Sequence, residues 1–199
     1  MKTTFTLVLA LAVVLIGLQA PAAATGHPAN YLVLKGGLYA PSQDPDIETV
    51  HFTQKDGFVA EIAGGRYFGP FFATEFGVGY FQSKGSPAVE AGESKFQCVP
   101  VTLTGKVLLP LGPFVEPYAE LGIGAYITKA EASGTNIKNF DASTKGVVGL
   151  HAGAGVNFNI TPLVFLGAEG KYLWAKPSFG GQDINLDGFT VTADLGFRF

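Results

Sequence analysis

The chain is poor in several things that a soluble globular domain relies on. Only 15% of its 199 residues are charged, 13 Lys and Arg against 16 Asp and Glu, for a net charge of −3. That balance supplies no basic surface, which excludes nucleic acid as a partner. The single cysteine, Cys98, cannot close an internal disulfide, so stability must come from packing or from lipid. Three histidines and one cysteine are too few and too scattered for a zinc cluster, and no Gly-rich phosphate loop is present. Asp44, Asp46 and Glu48 lack the Gly and the terminal Glu of a calcium loop and read as a solvated acidic loop. No cofactor or metal is implied.

A long apolar helix is missing too. The stretch from Gly146 to Ala168 contains no Asp, Glu, Lys or Arg and is long enough to span a bilayer as a helix. Its five glycines, Asn157, Asn159 and the pair Thr161-Pro162 break such a helix, and its apolar residues recur every second position. It reads as a hairpin.

What is present begins with an export signal. Lys2 precedes an apolar run from Phe5 to Leu18, interrupted only by Thr6 and Gly17, and Ala22 and Ala24 supply the small residues of a cleavage site. The run is shorter than the roughly 20 residues of a spanning helix. Residues 1–24 are therefore expected to be cleaved as a signal peptide, leaving a single domain of residues 25–199, with an uncleaved anchor as the alternative. No cysteine follows the run to accept a lipid.

The mature chain alternates. From Phe189 onward, Phe189, Val191, Ala193, Leu195, Phe197 and Phe199 share one face, and Thr190, Thr192, Asp194, Gly196 and Arg198 the other. Such a segment matches the 9 to 11 residues of a tilted membrane strand, in order of magnitude ~10. The same pattern recurs over Tyr31–Ala40, Gly57–Phe68, Phe71–Phe81, Phe96–Leu109, Val115–Ile127, Lys145–Asn159 and Leu163–Trp174. With the last segment this makes an all-β fold, an eight-stranded antiparallel up-and-down transmembrane β-barrel. Gly69-Pro70, Leu109–Pro113 and Asn159–Pro162 form tight turns. Pro41–Asp56, Gln82–Ser94, Thr128–Thr144 and Ala175–Leu186 form longer polar loops. Short turns on the periplasmic side and long loops outside are the outer-membrane arrangement.

The polar faces carry Lys35, Glu61, Glu75, Lys106, Glu116, Glu120, His151, Glu169, Lys171, Asp194 and Arg198. Alternation alone does not say which face is inside, and a soluble lipocalin-like carrier would reverse them. Glycines gather on the charged face, where a narrow lumen needs small residues, and aromatics gather near strand ends, Trp174, Tyr172, Tyr80 and Tyr39 on the loop side. Both features place the charges in the lumen and the apolar face in lipid.

Pro117-Tyr118 followed by Glu120-Leu121-Gly122-Ile123-Gly124-Ala125-Tyr126 resembles the fifth strand of the small outer-membrane β-barrel domain family, the porin-like and OmpA-transmembrane-domain-like barrels. Gly149-Leu150-His151-Ala152-Gly153-Ala154-Gly155-Val156, then Thr161-Pro162 and Gly167-Ala168-Glu169-Gly170-Lys171-Tyr172, resemble its sixth and seventh strands. The resemblance implies a Gram-negative outer membrane, contact with its lipid, and an assembly signal in the aromatic end, Phe197 and Phe199, that engages the outer-membrane assembly machinery. No appended peptidoglycan-binding domain is expected after Phe199. The family includes structural barrels, adhesins, channels and a few lipid-modifying enzymes.

Among these, the leading expectation is a structural or surface-interaction barrel, with a small solute channel as the alternative. A lipid-modifying enzyme is disfavoured: the resemblance to lipid deacylases calls for His-x-Ser, and here His151 is followed by Ala152 and Gly153, so the nucleophile is lacking. His151 is expected to pair with Glu169 across the Ile160 turn, Lys106 to face Glu116 across the Leu111 turn, and Lys35 to pair with Asp194 between the closing strands. The mixed signs suit a pairing network, with a solvated pore wall as the alternative. Cys98 is expected to be inward filler near a strand top. The sequence names no ligand for the outer loops.

Overall fold

The computed structural model describes residues 28–42, 46–47, 50–87, 92–134, 137–141, 145–175, 178–179, 182–183 and 187–199. The signal segment, its cleavage point after Ala24, and Asp44 and Glu48 lie outside them. Eight strands build the wall: β1 (Asn30–Pro41), β2 (Val50–Tyr67), β3 (Phe72–Pro87), β4 (Gly92–Leu108), β5 (Val115–Gly134), β6 (Lys145–Asn159), β7 (Val164–Trp174) and β8 (Gly188–Arg198). Each is antiparallel to its neighbours, and β1 pairs with both β8 and β2, so the sheet closes. Two short segments, Asp46–Ile47 and Ile137–Asp141, add to the margins beside β2 and β5.

Closure is staggered. Pairing once around the wall runs Pro41, Gly188, Leu173, His151, Gly122, Thr104, Glu75, Gly65 and back to Tyr31, so the path returns to β1 ten residues from its start. Such a shear tilts the strands by about 35–45° and leaves an interior that side chains fill.

Alternation decides the faces as their composition predicts. Strand β8 is buried and exposed at strictly alternate residues. Leu121 is 67% and Val148 77% exposed, whereas Lys35, Glu75, Glu120 and Asp194 are buried. An exposed apolar band of this extent is stable only in lipid, where its burial is supplied by acyl chains rather than by protein. Phe68, Phe71, Phe72, Phe114, Phe158, Phe197 and Phe199 are exposed at the turn end. At the loop end Phe58, Tyr80, Tyr172 and Trp174 face outwards, with ring pairs Phe58–Tyr80 and Tyr172–Trp174. Tyr39 does not join them: it is 1% exposed and packs inside against Phe81.

The strands are longer than alternation indicated on one side. β2 begins at Val50, β3 runs to Pro87, β4 begins at Gly92 and β5 runs to Gly134, through segments expected to be loop. Pairs such as Thr53–Ser86 and Lys84–Lys95 continue the ladders there. Polar residues fill consecutive positions in these extensions, so the one-sided apolar repeat that marks a membrane strand is lost although backbone pairing continues.

Gly69 and Gly112 adopt positive φ of 107° and 79° and close the first two turns. On the lumenal face, glycine has a different use. Tyr31, Tyr118 and Phe165 each lie across from a glycine, Gly65, Gly155 and Gly196, and each ring occupies the space a Cβ there would need.

Candidate functional site

The lumen is layered. At the turn end, Tyr31, Val33, Ala63, Tyr67, Ala73, Leu108, Tyr118 and Phe165 form an apolar cluster. At the loop end Tyr39, Val59, Phe81, Cys98, Tyr126, Leu173 and Ala175 form a second. Cys98 is thus inward and buried, a reduced thiol within this layer.

Between the two clusters lies an ion network. Lys35 on β1 meets Glu75 on β3 at 2.7 Å, Glu169 on β7 at 2.8 Å and Glu61 on β2 at 3.4 Å. Lys106 on β4 meets Glu75 at 2.8 Å, Glu169 at 3.4 Å and Glu120 on β5 at 3.5 Å. Lys171 on β7 meets Glu169 at 2.9 Å, Glu120 at 3.6 Å and Glu61 at 3.8 Å. Three amines thus hold four carboxylates from across the barrel. The low-dielectric interior strengthens each attraction, while removal from water offsets much of the gain. Tyr31 and Tyr118 donate their hydroxyls to Glu75 and Glu169 at 3.0 and 2.9 Å, joining the turn-end cluster to the network. The Lys106 amine also lies 4.4 Å over the Tyr118 ring.

A second cluster closes the turn end. Arg198 donates to Asn159 at 2.8 Å and to the Tyr67 hydroxyl at 3.2 Å, and lies 3.7 Å from Glu116. Asn157 donates to Glu116 at 2.9 Å, and the Arg198 guanidinium covers the Phe165 ring. A cavity of about 10 Å³ remains between the layers, bordered by Glu75, Lys106, Asn157 and Asp194 among others. That is room for one water.

Three expected partnerships are rearranged. Lys106 is opposite Glu120, not Glu116, because the turn is centred on Pro113 rather than Leu111, and Leu111 itself bridges to Val115. His151 is opposite Leu173 on one side and Gly122 on the other, and its Nε2 shares a hydrogen bond with Thr104 Oγ1 at 2.8 Å, not with Glu169. The turn after β6 is centred on Pro162, where the Thr161 hydroxyl accepts from the amides of Leu163 and Val164, and this carries Glu169 opposite Gly155. Lys35 and Asp194 do pair across the closing seam in register. The amine nevertheless reaches over the lumen to the glutamates, and Asp194 accepts from Thr192 at 2.8 Å. A long lysine can choose among carboxylates across a narrow barrel; a short aspartate cannot follow it.

The tyrosine hydroxyls, Thr104, Asn157 and Asn159 were absent from the sequence-level network. Their signal was available for Tyr31 and Tyr118, which share the charged face by parity. His151 and Thr104 are buried, and among the described residues no group of His, Cys, Asp and Glu could hold a metal ion. The arrangement is an ion-paired interior.

An exposed apolar wall around a filled polar lumen defines a small outer-membrane barrel. The outer membrane protein beta-barrel domain matches residues 8–199, and the chain belongs to that family. Among solved structures it is similar to OprG of Pseudomonas aeruginosa, with 13% identity, a TM-score of 0.63, and coverage of 88% of this chain and 98% of that one. It is also similar to Neisserial surface protein A (17%, TM-score 0.56, covering 85% and 97%). A third is Ail, the attachment invasion locus protein of Yersinia pestis (16%, TM-score 0.51, covering 85% and 99%). At these identities the likeness is one of fold. Comparison with curated proteins returned no match.

Proposed function

We propose that this chain is an outer-membrane barrel that acts through its structure and its loop-end surface, with its lumen sealed against solutes. The observation that carries this reading is the ion network centred on Lys35, Lys106 and Lys171, enclosed between two apolar clusters. A hydrated solute moving along the axis would have to displace both apolar layers and separate these pairs. The long ladders of β2 to β5 favour a raised outer margin as the working surface. Ail, a barrel of the same fold, has been solved with the heparin analogue sucrose octasulfate, a precedent for a ligand on such a barrel.

In this reading residues 1–24 direct export and are removed after Ala24, the loops face outside, and Phe197 and Phe199 present the assembly signal. Purified protein in planar bilayers tests the sealed lumen. Small or no steady conductance is expected; large, stable openings would favour the solute-channel reading instead.

A further inference from the structure

The lumen engages Lys35, Lys106 and Lys171. Four other lysines, Lys55, Lys84, Lys95 and Lys129, lie in the long loop-end extensions of β2 to β5, and the ladders gather them. Lys84 on β3 stands opposite Lys55 on β2 and opposite Lys95 on β4, so it has a lysine on each side. Lys129 on β5 stands opposite Gln97, two residues from Lys95. Like charges set directly opposite one another destabilise a sheet. The nearest acids in the register are Glu131, opposite Lys95, and the exposed Asp56 between Lys55 and Phe58. Neither stands opposite Lys84.

Register also fixes the face. Gln97 donates to the Tyr80 hydroxyl at 2.8 Å, and that hydroxyl donates to Gln82 at 3.1 Å, so these three share one side of the wall. It is the lipid side, because Phe58, 49% exposed, stands opposite Gln82 and packs against Tyr80. Lys84 is two residues beyond Gln82 and Lys95 two before Gln97, and the period of two keeps both positions on that face. Lys55 joins them through a bulge. Its odd number would put it on the lumenal face with Val59, but the register shifts by one residue between Lys55 and Phe58. Re-aiming a residue is what bulges do. From Tyr80 to Lys84 is about 13 Å along the strand, or roughly 10 Å in height at a barrel strand's tilt. Aromatic rings mark the membrane interface, so the lysine positions lie at the level of the headgroups. Among the described residues the turn end has no such belt: its cations, Arg66 and Arg198, are buried.

We propose that Lys55, Lys84, Lys95 and Lys129 form a belt that binds the phosphate groups of outer-leaflet lipid, so that the β2–β5 wall carries its own shell of phosphorylated lipid. The belt continues the apolar band directly. A lipid whose chains lie on Val78, Val99, Val101 and Leu103, which face outwards below it, presents its headgroup at the height of the lysines. A phosphomonoester carries about −1.5 to −2 charges and three acceptor oxygens, enough to be shared between neighbouring ammonium groups. A zwitterionic headgroup carries its own cation and offers less. Bound phosphate removes the repulsion along the row, so the lipid and the extended ladders stabilise each other.

Tryptophan quenching by brominated lipid tests the belt. The single tryptophan, Trp174 on β7, lies on the wall opposite β3 in the ring of eight strands and serves as the internal control. A Trp174→Phe, Phe58→Trp variant carries the reporter to the belt. Each protein is refolded into phosphatidylcholine vesicles containing phosphatidic acid, with bromine on the chains of one lipid or the other, and folding is checked by heat-modifiable migration. Phosphatidic acid is expected to be enriched several-fold more at the Phe58→Trp reporter than at Trp174. The enrichment should vanish when all four lysines are replaced by Gln and persist when they are replaced by Arg. Should the fourfold Gln variant fail to fold, Lys84→Gln alone is expected to lower it. Equal quenching by both lipids at the belt, equal enrichment at the two reporters, or enrichment unchanged by the Gln substitutions would each overturn the proposal. So would equal enrichment of brominated phosphatidylserine, an anionic lipid without a phosphomonoester.

Discussion

Lys35 and Glu169, 134 residues apart in sequence, meet at 2.8 Å across the lumen. The contact ties the first strand to the seventh, and Glu169 in turn meets both other amines of the network. Replacing Lys35 by Glu removes this tie and adds a buried negative charge. Breaking a buried pair in this way costs about 3–5 kcal/mol. The variant should unfold at lower urea concentration and show greater conductance or opening frequency in planar bilayers than the unmodified protein. Unchanged stability and conductance together would mean that the network neither braces nor seals the lumen.

The two faces of β5 should respond differently to charge. Leu121→Arg sets a cation on the lipid face, which costs about 2–4 kcal/mol near the bilayer midplane, whereas Glu120→Gln keeps shape and removes charge from the lumen. Poor insertion of the first and recovery of the second in folded form is the expected outcome in vesicle refolding. Arg at Glu120 is a poor control despite its lumenal position, because Lys106 and Lys171 already lie within 3.6 Å of that carboxylate.

Glycine-for-ring complementarity gives a third test. Gly155→Val should clash with Tyr118, and overpacking of this kind costs about 1–3 kcal/mol. Adding Tyr118→Ala should recover part of the loss, read as non-additivity in a double-mutant cycle of unfolding free energies. Strict additivity would show that the ring and the glycine do not share space.

The aromatic terminus is open to a direct check in cells. Deleting Phe199 should reduce the heat-modifiable, outer-membrane fraction far more than replacing Ile160, an equally exposed turn residue. Phe199 lies on the outward aromatic margin with Phe197, and its backbone exchanges hydrogen bonds with Asn30 at the closing seam. Wild-type yield in the deletion would remove Phe199 from the assembly signal.

Much of the fold was legible because a strand repeats every two residues and a membrane barrel puts unlike solvents on its two faces. Val191, Ala193 and Leu195 against Thr192 and Asp194 are enough to orient β8, and the inward set followed wherever that alternation held. The repeat faded beyond Gln82 and Thr128, where polar residues occupy consecutive positions while the ladders continue, so the length of β2 to β5 was hidden. Partnerships inside the lumen were also hidden. Strand parity tells which residues enter the barrel, but turn geometry sets their register: moving the turn centre from Leu111 to Pro113 exchanges Glu116 for Glu120 opposite Lys106. Contacts across the lumen depend further on closure and shear, which belong to the whole ring of strands. That is why Lys35 was assignable to the interior from its neighbours in sequence, while its choice of Glu75 and Glu169 over the adjacent Asp194 was decided only when all eight strands enclosed one narrow space.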